Sequence, residues 1–166
     1  MALHHNTMMA LLLAALAGTA AAQDGVSVSF EHPERFIDAG QYGPTRERNL
    51  KTIADYLQKL GHDRLAPGQT LKIDVLDVDL AGTPRPSQRV GEYRVVRGNS
   101  DRPAITLRYT LAQNGQVVGS GTDSVYELDY IDPIRTVGES ESLHFEKKLI
   151  AKWFDQRFAT NKAAAG

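Results

Sequence analysis

Ile105-Thr106-Leu107-Arg108-Tyr109-Thr110-Leu111, followed by Asn114-Gly115-Gln116-Val117-Val118, is the stretch on which the fold of this chain turns. Ile105, Leu107, Tyr109 and Leu111 alternate with Thr106, Arg108 and Thr110, the period of a strand with one buried and one wet face. Asn114-Gly115 then supplies the pair of residues that tolerate positive φ in a tight type I′ turn. An antiparallel hairpin is expected. Counting back from the turn pairs Leu111 with Val118, Tyr109 with Ser120, and Arg108 with Gly121. The second strand is expected to continue through Val125 to Tyr130 and to stop at Asp132-Pro133, because proline has no N–H for a ladder.

Upstream, Leu71, Ile73 and Val75 alternate with Lys72 and Asp74, after which the phase slips to Leu76, Val78 and Leu80. A one-residue slip would turn every later side chain to the other face. A bulge near Val75-Leu76 avoids this and returns Leu76, Val78 and Leu80 to the core. Residues Ala81–Glu92 carry Gly82, Pro84, Pro86 and Gly91 and read as a long loop, with Tyr93–Arg97 as a short strand after it. Further upstream, Leu50, Ile53, Ala54, Leu57 and Leu60 share one helical face, opposite Arg48, Lys51, Asp55 and Lys59. That pattern predicts an amphipathic helix, closed by Gly61. Val26-Ser27-Val28-Ser29-Phe30 reads as a strand ended by His32-Pro33.

At the other end a helix is expected from about Ser140 to Phe158, with Leu143, Leu149, Ile150, Trp153, Phe154 and Phe158 as a broad apolar stripe. Ser140 and Glu141 suit its electropositive start. The order β-α-β-β-β-β-α implies a two-layer α+β domain: a mostly antiparallel sheet of about five strands, two helices on one face and water on the other. If the first two strands pair in parallel, their crossover should be right-handed.

The first 22 residues read differently from the rest. Met8–Ala17 is apolar but shorter than the roughly 20 residues of a membrane-spanning helix, and Ala20-Ala21-Ala22 offers the small side chains of a signal-peptidase site. Residues 1–22 are therefore expected to be a signal peptide and 23–166 a single domain in the periplasm or outside the cell. The chain has 166 residues, a net charge of −1 and no cysteine. Lack of cysteine excludes disulfides, a lipidated cysteine and thiolate chemistry. Near-neutral charge gives no argument for nucleic acid. Neither a transmembrane segment nor a lipid anchor is expected, and no cofactor is implied.

Two polar groups stand out. Asp77 and Asp79 lie two apart in a strand, a context that disfavours aspartate, and would share one face. They could supply oxygen ligands for Ca²⁺ or Mg²⁺ in a metal-assisted hydrolase, or simply sit on a wet face and pair with arginines. The arginines Arg85, Arg89, Arg94, Arg97, Arg102 and Arg108 lie within Ala81–Arg108, opposed there only by Glu92 and Asp101. Their guanidinium forks could bind an anionic envelope polymer or phosphate. Alternatively Arg94, Arg97 and Arg108 answer the aspartates while Arg85 and Arg89 solvate a loop.

His32, His62 and His144 show no ligand spacing. Gly119-Ser120-Gly121 matches neither a nucleophile elbow nor a phosphate loop, and its small residues make room for Tyr109. The apolar stripe of the last helix belongs in the core, or in part at the docking edge for a partner protein.

The phrases Val26–Phe30, Pro33–Ala39, Arg46-Glu47-Arg48, Leu65–Leu71, Val75–Gly82, Tyr109-Thr110-Leu111, Glu146-Lys147 and Trp153-Phe154 together resemble a family of short bacterial periplasmic proteins, a domain of unknown function. His32 stands where that pattern suggests aspartate. The resemblance implies one exported domain and carries no activity or catalytic residue with it. The function most in keeping with these features is a non-enzymatic envelope module that binds a protein or anionic polymer. A hydrolase using Asp77 and Asp79, or small-ligand binding beneath the Ala81–Glu92 segment, are the alternatives.

Overall fold

The computed structural model describes residues 25–89, 91–97, 101–126 and 143–158. Its elements are β1 (Gly25–Phe30), α1 (Gly43–Arg64), β2 (Gln69–Asp79), β3 (Thr83–Ser87), β4 (Gly91–Val95), β5 (Ala104–Gln113), β6 (Gln116–Tyr126) and α2 (His144–Phe158). Four strands form the main sheet in the order β1-β2-β5-β6, parallel only between β1 and β2. The two-layer α+β arrangement thus follows from the alternation and the two amphipathic helices.

Leu71, Ile73, Val75, Val78, Ile105, Leu107 and Leu111 form the buried side of the sheet. They share one core with Ile53, Leu57 and Leu60 of α1 and Ile150, Trp153 and Phe154 of α2. Lys72 and Arg108 stand exposed on the other side, among short hydroxyl side chains.

Four local expectations change. The segment expected to be a loop contains β3, which pairs with β4 as a separate two-stranded ribbon from Thr83↔Val95 to Ser87↔Gly91. Pro84 and Pro86 are compatible with this because each ribbon strand has a free edge for the missing donor. Consequently the expected Tyr93–Arg97 strand belongs to the ribbon rather than the main sheet.

The helix is not closed by Gly61. It runs to Arg64, and Pro67 follows its extended cap residue Leu65. Gly61 serves close packing: a β-carbon there would lie 1.9 Å from Val26 Cγ2.

The bulge in β2 does fall between Val75 and Asp77, but Leu76 is the extra residue and is only half-buried, while Val78 and Leu80 regain the core. In the β5–β6 hairpin, Asn114 and Gly115 have the positive φ the turn demands. A second irregularity between Leu111 and Ala112 leaves Val118 unpaired, so Leu111 faces Gly119 and Tyr109 faces Gly121. Each expected pairing beyond the bulge moves by one residue.

Gly121 then lies under Tyr109, where a β-carbon would come within 3.0 Å of the phenol oxygen and 3.1–3.2 Å of the ring. The ring in turn packs edge-on against Trp153 and Phe158, at 6.1 and 5.4 Å between centroids. Gly121→Val is expected to displace Tyr109 and lower the unfolding free energy by about 1–3 kcal/mol, the usual cost of overpacking. Urea denaturation with near-ultraviolet circular dichroism checks both parts. The expected strand end beyond Tyr126 and the helix-start residues Ser140 and Glu141 lie outside the described residues.

Candidate functional site

A connected polar group gathers where β2 ends. Asp38 forms a parallel bridge with Asp79, its N–H donating to Val78 O at 2.9 Å and its carbonyl accepting from Leu80 N at 3.0 Å. This lays residues 37–39 along the last turn of β2, and Asp77 Oδ1 accepts from Ile37 N at 2.9 Å. Arg94, on β4, reaches back across the ribbon. Its Nε donates to Ala81 O at 2.7 Å, and its Nη2 to Gly82 O at 2.6 Å, Leu80 O at 3.1 Å and Asp38 Oδ2 at 2.6 Å. From the helix layer, Glu146 Oε1 accepts from Ala81 N at 2.7 Å.

Leu80-Ala81-Gly82 is therefore gripped on both its donor and acceptor sides. A planar guanidinium suits this task because its donors diverge in one plane toward several carbonyls. Gly82 is required by geometry: its φ is +78°, and a β-carbon would meet Val95 O at 2.9 Å. Burial, with Asp38 and Asp77 nearby, raises the Asp79 carboxyl above its ordinary value, against the opposing field of Arg94. Burial likewise raises Glu146, against the hydrogen bond from Ala81. Arg94 and Glu146 thus hold the start of the β3–β4 ribbon to the body of the domain, through the carbonyls of Leu80, Ala81 and Gly82, the Asp38 carboxylate and the Ala81 N–H.

A second cluster lies on the open face. Ser29 Oγ donates to Asp74 Oδ1 at 2.5 Å, and Arg108 Nη2 donates to Asp74 Oδ2 at 3.2 Å and to Glu31. The Ser29 hydrogen bond lowers the Asp74 pKa, and Arg108 and Lys72 add to it against a burial penalty.

The candidate residues from the sequence therefore part company. Asp77 and Asp79 share the β2 end with Arg94, whose ion pair goes to Asp38 instead. Arg108 pairs with Asp74 and Glu31, and the backbone N–H of Arg97 donates to Asp101 at 3.0 Å. Among the described residues no three His, Asp or Glu side chains are grouped as a metal site requires. Two members carry no local signal in the sequence: Asp38 lies between strand and helix patterns, and Glu146 is one residue of an amphipathic helix. The only hint was that both fall inside phrases shared with the resembled family.

The ribbon itself is different in character. Arg85 stands opposite Tyr93, and Arg85, Arg89, Tyr93 and Arg97 are exposed. Among the described residues, none of these three guanidinium groups has a carboxylate or carbonyl partner. By contrast Arg94 and Arg108 are engaged as above, and Arg102 lies over the Tyr126 ring at 4.7 Å.

The family model for proteins of unknown function designated DUF3016 matches residues 24–156. The chain belongs to this family. Among solved structures, this DUF3016 chain is similar to the PelC dodecamer from Paraburkholderia phytofirmans, with 17% identity over 79% of this chain and 85% of that one and a TM-score of 0.33. A leucine-to-methionine variant of the same PelC gives 18% identity over 79% and 83%, with a TM-score of 0.31. No protein of curated function matches the chain.

Proposed function

We propose that this DUF3016 chain is an exported, non-enzymatic binding module for an anionic polymer, with the β3–β4 ribbon as its contact element. The supporting observation is the division of labour among the arginines. Arg94 fixes the ribbon, while Arg85 on β3, Arg89 in the turn and Arg97 just past β4 have guanidinium groups without a carboxylate or carbonyl partner among the described residues. Spread cations on a ribbon, with Tyr93 between them, favour a repeating anionic chain over a single small ligand. Each guanidinium can pair with a separate charged unit, and bound counterions are released as the polymer seats. The apolar, small-residue-terminated start of the chain supports export to a compartment where such polymers occur.

The test uses fluorescein-labelled dextran sulfate and polygalacturonate, with neutral dextran as control, followed by anisotropy. Binding to the charged polymers alone is expected, weakening steadily as salt rises. Arg85→Gln, Arg89→Gln and Arg97→Gln combined should weaken it at least about tenfold, by analogy with phosphate-backbone binding. The melting temperature should hardly move, since these are surface positions. Equal affinity for neutral dextran, or unchanged affinity in the triple variant, would refute the proposal.

A further inference from the structure

The main sheet ends on β6, an 11-residue strand with the sequence Gln116-Val-Val-Gly-Ser-Gly-Thr-Asp-Ser-Val-Tyr126. Among the described residues no strand pairs with its outer edge. Natural edge strands are commonly shielded by lysines, prolines or shortness. β6 has none of these, and its one irregularity, at Val118, lies near its start. Its single charge does not guard the edge either: Asp123 turns to the helix side, where Trp153 Nε1 donates to it at 2.9 Å and Arg157 pairs with it. The outward residues of the regular part are Ser120, Thr122 and Ser124, all small and uncharged.

Exposed apolar side chains lie at the two ends of the strand. Val117 and Val118 are 65% and 58% exposed at one end, and Tyr126 is 56% exposed at the other. One occupant answers both features. A second β6 running antiparallel brings the apolar start of each strand beside the apolar end of the other, and satisfies the edge backbone of both. Residues directly opposite each other in an antiparallel pair face the same side. A twofold axis at Thr122 meets that condition. It sets Ser120 against the partner's Ser124 and Val118 beside the partner's Tyr126.

We propose that β6 pairs in this way with β6 of a second copy of the chain, joining two four-stranded sheets into one continuous sheet. The inference is independent of the polymer-binding reading, because neither Arg85, Arg89 nor Arg97 takes part.

The absence of cysteine makes the test direct. Thr122→Cys places two thiols across the axis, at a Cα separation of about 4.5–5.5 Å for an antiparallel pair, inside the roughly 4.4–6.8 Å span of a disulfide. Under mild oxidant it is expected to give a covalent dimer, whereas Thr110→Cys, one strand inward, should not. Light scattering of the purified wild type should give twice the chain mass. Ser120→Lys with Thr122→Lys, which sets like charges across the axis, should raise the dimer dissociation constant at least about tenfold. Both substitutions fall on exposed residues, so a native circular dichroism spectrum and a cooperative melt of the dissociated variant separate lost pairing from misfolding, with only the modest fall in Tm that loss of association brings. A wild type that stays monomeric at about 100 µM, or a dimer that survives the double lysine change, overturns the proposal. A foreign extended peptide as the true occupant would show itself as the first of those outcomes.

Discussion

Arg94→Met is expected to lower the unfolding free energy by about 3 kcal/mol, the lower end of what breaking a buried ion pair costs. Arg94 and Asp38 have side chains only 16% and 19% exposed, so water replaces the lost guanidinium poorly. The methionine fills much of the same volume, which leaves polarity as the main change. The Asp38 carboxylate then lacks its cation, and the carbonyls of Leu80, Ala81 and Gly82 each lose a donor. The effect should also be directional. Hydrogen exchange should accelerate first in the β3–β4 ribbon, which is a separate sheet held to the body through this residue, while β5 and β6 stay protected. Asp38→Asn in the same chain removes the orphaned charge and should recover part of the loss. A double-mutant cycle by urea denaturation measures that coupling. Additive single effects would show that the two groups do not act together.

The clasp also shows why the sequence spoke clearly about the sheet and not about the site. Alternation and helical periodicity are local properties, and the β5–β6 turn was readable from Asn114-Gly115 because only such residues accept its backbone angles. The helix layer was likewise legible from Leu57 to Phe154. The partnership of Asp38, Leu80-Ala81-Gly82, Arg94 and Glu146 joins positions far apart in the chain. No spacing rule links an aspartate in one loop to an arginine 56 residues later. Asp77 and Asp79 drew notice because aspartate is rare in strands, yet the ion pair at that corner belongs to their neighbour Asp38.

The errors of register have a similar origin. Nothing in Gln116-Val117-Val118 marks Val118 as the unpaired residue. What selects it is the Tyr109 ring, which needs a glycine beneath it and finds one at Gly121 only if the ladder shifts by one. His32 offers a smaller case: its φ of +53° is a conformation in which aspartate and asparagine are enriched. That accounts for an aspartate in the related pattern without invoking chemistry.

Asp123→Ala is expected to cost about 2–3 kcal/mol at neutral pH, the range for a lost hydrogen bond to a charged group. The carboxylate accepts from Trp153 Nε1 at 2.9 Å and from Arg157 Nε at 2.7 Å, tying α2 to the edge strand. Most of the loss comes from the buried indole N–H, since Arg157 is half exposed and regains water. The pH dependence distinguishes this tie from simple packing. Burial alone would raise the Asp123 carboxyl, but the hydrogen bonds from Arg157 and Trp153 outweigh it and hold it below its ordinary 3.8. A carboxyl with a depressed folded-state pKa contributes stability that is whole above its unfolded value. That contribution disappears as pH falls through the folded value. Wild type and Asp123→Ala should therefore differ by a constant amount above about pH 5 and converge on acidification below 3.8. Asp74 carries the same sign and remains in both proteins, so it drops out of the difference. Glu146, raised by burial, carries the opposite sign and cancels in the same way. A stability gap that stays constant down to about pH 2.5 would mean that Asp123 acts by shape and not by charge.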